Sequence, residues 1–71
     1  MLEINGQRFQ EGDVVRFERA GLPKNRTRDY TITAVTGAGI EASAGGFSYG
    51  FTKATATRIG ITHSPTSRNE D

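Results

Sequence analysis

Apolar and polar positions alternate along much of this chain with a period of two, the spacing of side chains on a half-buried strand. Leu2-Glu3-Ile4 and Gln7-Arg8-Phe9 flank Asn5-Gly6. That pair suits the two positive-φ positions of a type I′ turn, so a small hairpin is predicted at the N-terminus. Gly12-Asp13 is a second turn, and it opens a strand over residues 13–19. Val15, Phe17 and Arg19 share one face of that strand and Val14, Arg16 and Glu18 the other, with Val15 and Phe17 predicted inward. Residues 20–26 carry Gly21 and Pro23, which break the alternation and predict an exposed connecting loop.

Alternation returns over residues 29–35, where Tyr30, Ile32 and Ala34 are interleaved with β-branched threonines. A turn at residues 36–39 leads to a short strand over residues 40–43. A second turn at residues 44–46 then leads to a strand over residues 47–51 with Phe47, Tyr49 and Phe51 on one face. Gly50, between two of these aromatics, predicts a bulge or a close backbone approach. Residues 52–57 suit either a strand, through their threonines, or a single helical turn, through Ala54, Ala56 and Lys53. Residues 58–62 read as a last short strand. The pattern predicts an all-β domain over residues 1–62: a small SH3-like or OB-like barrel of about five short strands, preceded by a hairpin. Residues 63–71 have no apolar anchor and are expected to form a flexible tail.

The 71 residues are 34% hydrophobic, and a chain of this size buries only about 60% of the surface it exposes unfolded, so the core is small. There are no cysteines and one histidine. A disulfide framework, a thiolate metal site and an imidazole cluster are thereby excluded, and neither metal nor cofactor is expected. No run approaches the roughly 18 apolar residues of a membrane span, and the first residues lack the basic and apolar regions of a signal peptide. The expected location is cytoplasmic, without a membrane partner.

Net charge is +1, too small to point to a polyanion, but the charges are unevenly placed. Arg16, Arg19, Lys24, Arg26 and Arg28 face one acid, Glu18, within residues 16–28. These cations can neutralise phosphates, and Tyr30 beside them can stack on an unpaired base; as a plain alternative they are solvated loop charges. Phe47, Tyr49 and Phe51 are expected in the core, which has few other large apolar residues. Gly37-Ala38-Gly39 and Gly45-Gly46 are turns, since neither precedes a helix with the lysine of a phosphate loop. His63 and Ser64 have no third partner to orient them as a catalytic pair, and Glu18 is expected to pair with a nearby arginine. No enzyme is expected.

The order Phe9-x-x-Gly12-Asp13-x-Val15-x-Phe17, then a basic loop with Gly21-Leu22 and Lys24-Asn25, then residues 29–35 ending in Ala34-Val35, resembles a known segment. It is the small SH3-like barrel of RecD-type helicases and of conjugative relaxase-helicases of the TraI/TrwC type. The resemblance covers residues 9–35. The chain departs from it at Arg26, which follows Asn25 in place of the family's glycine, and it lacks the helicase Gln-Gly motif and any Walker loop, so no ATPase activity carries over. The resemblance implies a barrel of plasmid or phage machinery that touches nucleic acid or a partner protein. The expected function is a non-enzymatic DNA- or RNA-binding module using Arg16, Arg19, Lys24, Arg26, Arg28 and Tyr30. The alternatives are a protein-interaction or inhibitor domain acting through a sheet edge or a rim at Leu22, Tyr30 and Tyr49, and an architectural part of a longer helicase polypeptide.

Overall fold

Asn5 and Gly6 take φ of 51° and 80°, the positive pair a type I′ turn requires. They join β1 (Leu2–Ile4) to β2 (Gln7–Phe9), with Ile4 opposite Gln7. The computed structural model describes residues 2–64. Beyond the hairpin it comprises β3 (Val14–Phe17), a 3₁₀ turn (Pro23–Arg26), β4 (Tyr30–Val35), β5 (Gly39–Ala44), β6 (Phe47–Thr52), a helix α1 (Lys53–Arg58) and β7 (Ile61–His63). The last five strands form one antiparallel sheet in the order β6-β5-β4-β3-β7, so the final strand returns to pair with the first.

This sheet is strongly curled. A flat sheet would hold β3 and β6 about 14 Å apart, three spacings of about 4.8 Å. The rings of Phe17 on β3 and Phe51 on β6 nevertheless lie with centroids 4.5 Å apart. Two features permit the bend. Thr33 is bulged out of register between Ile32 and Ala34, which kinks β4 and increases its twist. On the concave side β5 presents the small Ala42 and Ala44. The bulge also changes the inward phase of β4. Val35, opposite the buried Ile40, packs on the core instead of Ala34, which faces the exposed Glu41. The sheet does not close as a barrel: β6 and β7 are not hydrogen-bonded to each other, and α1 packs against both.

Phe9, Phe17, Ile32 and Val15 are the largest fully buried side chains. The hairpin adds Leu2, Ile4 and Phe9 to the same cluster and is held to β7, where the Phe9 and His63 rings stack at 4.6 Å and His63 Nε2 lies 2.8 Å from the Arg8 carbonyl oxygen. Gly50 provides neither a bulge nor a close approach. Its pairing with Glu41 is in register, and the space a side chain would occupy is open. The close approach is at Gly39, where a Cβ would meet the Phe51 carbonyl oxygen and lie 2.8 Å from Thr52 Cα.

Residues 52–57 resolve as a helical turn because Thr52 caps it: its Oγ1 accepts from the Thr55 N–H at 3.1 Å, and Ala56 is buried beneath. Removing a cap oxygen costs about 1 kcal/mol. Thr52→Ala is therefore expected to lower the thermal midpoint by roughly 4–8 °C, read by circular dichroism. The C-terminal boundary also moves. His63 belongs to β7 and Ser64 is 3% exposed, while residues 65–71, the rest of the expected tail, lie outside the described residues.

Candidate nucleic-acid interface

The loop between β3 and β4 is fixed at its root. The Glu18 and Arg19 N–H groups donate to the carbonyls of Gly60 and Ile59 at 3.1 and 2.8 Å, and Ala20 N–H donates to Phe17 O at 3.1 Å. These bonds end β3 at Phe17, two residues before the end expected from alternation. Ala20 is buried and anchors the strand exit. Pro23 opens the 3₁₀ turn, where its ring presets φ and its missing N–H has no partner to lose.

The six residues expected to act together fall into three groups. Arg16, Arg19 and Arg26 hold the fold. Arg16 Nε donates to Asp29 Oδ1 at 2.7 Å, an ion pair that also receives the Ser64 hydroxyl at 2.7 Å. Asp29, rather than the expected Glu18, is thus the acid in an ion pair with an arginine here. Arg19 reaches the last carbonyls of α1, donating to Thr57 O at 3.0 Å and Arg58 O at 3.3 Å. A cation is favoured there, since those carbonyls have no partner within the helix. Arg26 Nε donates to Ala20 O at 2.8 Å, and no hydrogen bond among the described residues uses its two terminal nitrogens. Lys24 and Arg28 form the second group: both are exposed and make no hydrogen bond or ion pair among the described residues.

Tyr30 stands alone, and its expected stacking role does not fit its position. It is 5% exposed and lies at the centre of an aromatic cluster, 5.0 Å from Phe17, 5.6 Å from Tyr49 and 6.1 Å from Phe51. Tyr49 and Phe51 pack against the core as expected. Phe47 does not: it is 67% exposed, and Leu22, on the basic loop, is 57% exposed. Alternation assigned Phe47 to the right face of β6. The adjoining Gly45-Gly46 turn, with φ of 59° and 85°, was the available signal that this face has run past the edge of the core.

The remaining candidates have internal partners. Thr36 Oγ1 accepts from the Ala38 and Gly39 N–H groups, each at 3.2 Å, so the amides of that glycine turn are occupied locally. Ser64 turns to Asp29 while His63 turns to the hairpin, and the two side chains do not meet as a pair. A shallow, mainly apolar depression of about 240 Å³ lies at the β4–β5 turn and the end of β6, between Thr36, Ile40 and Phe51. No group of three or more potential metal ligands occurs among the described residues, and no described helix is long and apolar enough to cross a membrane. Comparison with known proteins finds no family model, no curated protein and no solved structure that matches the chain.

Proposed function

We propose that this chain is a non-enzymatic nucleic-acid-binding module of the SH3-like kind, working in the cytoplasm as part of plasmid or phage machinery. A meander whose last strand returns to its first, curled until Phe17 meets Phe51, supports the SH3-like reading. The observation that carries the binding proposal is the state of the basic loop. Among the described residues Lys24 and Arg28 are exposed without side-chain partners, and Arg26 is aimed by its Nε bond with its terminal nitrogens unused, on a loop whose start is pinned to the α1–β7 connection at Ile59 and Gly60. Such cations displace condensed counterions when they meet phosphates. Arg16 and Arg19 support this surface by fixing its two roots.

Three phosphate contacts predict that log affinity falls with log salt at a slope of about −2 for single strands and about −2.7 for duplex. The Lys24→Ala/Arg28→Ala double variant should bind more weakly at low salt and reduce the slope by about 1.4 to 1.8. Anisotropy titrations of labelled oligonucleotides over a salt series measure both quantities. Undetectable binding at low salt, or a double variant indistinguishable from the parent, would overturn the proposal.

A second reading has its own observation. Among the described residues, Leu22 and Phe47 are the exposed large hydrophobics and β6 pairs only with β5, which suits a protein partner docking on the sheet edge. With Tyr30 buried, the apolar rim for such a partner is Leu22, Phe47 and Tyr49. That reading predicts complex formation insensitive to the Lys24→Ala/Arg28→Ala change and no salt-dependent nucleic-acid binding.

A further inference from the structure

We infer that Phe47 is the base-stacking residue of this surface and that the preferred ligand is single-stranded rather than duplex nucleic acid. The inference rests on the nucleic-acid reading of the basic loop and adds a residue and a ligand class to it. Along β6 the aromatics Phe51, Tyr49 and Phe47 share one face. The first two pack against the core and touch Tyr30, while Phe47 makes no ring contact among the described residues and is open to solvent.

Strand register places Phe47 at the end of the sheet where the basic loop enters β4. Ser43 of β5 pairs with Thr31 of β4 on one side and Ser48 of β6 on the other. Two antiparallel pairings make β4 and β6 run in the same direction. Stepping back from Thr31 to Arg28 therefore leads to the same end of the sheet as stepping back from Ser48 to Phe47. Two strand spacings, about 10 Å when flat and less when curled, separate those rows. An exposed π-face and the exposed Arg28, the last cation of the basic loop, thus lie toward one end of the sheet.

This pairing of groups selects the ligand. A duplex offers phosphates but keeps its base faces stacked inside, so the Phe47 ring gains nothing from it. An unpaired strand offers phosphates to Lys24, Arg26 and Arg28 and a base face to the ring. Tyr30 cannot supply that face, being buried. An apolar side chain alone would suit a peptide equally, and the adjacent unpaired cations are what favour a polyanion.

The test uses an oligothymidylate, a duplex of equal length and the full chain at low ionic strength. Phe47→Ala should weaken binding to the single strand by about 5- to 150-fold, the range for loss of one stacked base, with the salt slope unchanged and duplex binding within about twofold. The chain has no tryptophan, so Phe47→Trp introduces a lone fluorophore whose emission should be quenched by the single strand. Circular dichroism confirms that both variants fold. Parent-like single-strand affinity for Phe47→Ala, while the Lys24→Ala/Arg28→Ala variant still loses affinity, overturns this inference and leaves the basic-loop proposal standing. Duplex bound as tightly as single strand overturns the ligand preference. No salt-dependent binding by the parent chain overturns both.

Discussion

Replacing Gly39 by alanine is expected to remove much of the chain's stability. Gly39 has ordinary negative-φ backbone, so its requirement is for space. It is buried opposite Thr52 at the start of the six-residue β5–β6 ladder, and a Cβ there would meet the Phe51 carbonyl oxygen and lie 2.8 Å from Thr52 Cα. Both obstacles are backbone, so no rotamer change relieves them. Retreat of β6 would also break the bond from Lys53 N–H to Ala38 O, 2.9 Å, that ties the entry of α1 to the β4–β5 turn. Overpacking costs about 1–3 kcal/mol where side chains can shift, and here the cost should be about 3 kcal/mol or more. Gly37 is the control, because a Cβ there meets nothing within 4 Å and its φ is not positive. Urea titrations followed by far-UV circular dichroism should show Gly37→Ala near the parent and Gly39→Ala with a midpoint far below it. A Gly39→Ala midpoint equal to the parent's would refute the close approach.

Phe17→Ala is expected to remove about 3–5 kcal/mol. A domain of this length has only about 4–10 kcal/mol in total, at 0.05–0.15 kcal/mol per residue. Phe17 is 1% exposed and its ring meets Tyr30 at 5.0 Å and Phe51 at 4.5 Å, so it joins three strands, of which β3 and β6 have no backbone bond between them. Truncation leaves a cavity where the curl of the sheet is held. The same titration should show a lowered midpoint, and Phe17→Leu should recover most of it. A shift of less than about 1 kcal/mol would mean that the bulge at Thr33 and the helix α1 maintain the curl without the ring.

Much of the fold could be read along the chain because it depends on neighbours. The Asn5-Gly6 hairpin needs only two residues that tolerate positive φ, and the inward Val15 and Phe17 follow from the pleat alone. The seven strands expected from alternation all form, with boundaries moved by one to three residues, and the last of them reaches His63, past the predicted domain limit. The Thr33 bulge was not legible, since nothing local marks a residue that loses its partner across β5. Nor was the helical choice at residues 53–58, where threonine propensity and helix capping pull in opposite directions and the burial of Ala56 decides.

The candidate site divides along the same line. Its cations and aromatics, and the strand faces they occupy, can be read off residue order. Their availability cannot, because it depends on groups far away in the chain: Arg19 is occupied by carbonyls 38 and 39 residues on, and Asp29 brings together Arg16, 13 residues before it, and Ser64, 35 after. A period of two says which way a side chain points, not whether the core reaches that far. Curling the sheet covers Tyr30 and leaves Phe47, level with it two strands away, in solvent. Sequence alone thus established a β-rich chain with a basic loop, and long-range packing chose which of its charges and rings remain free to meet a ligand.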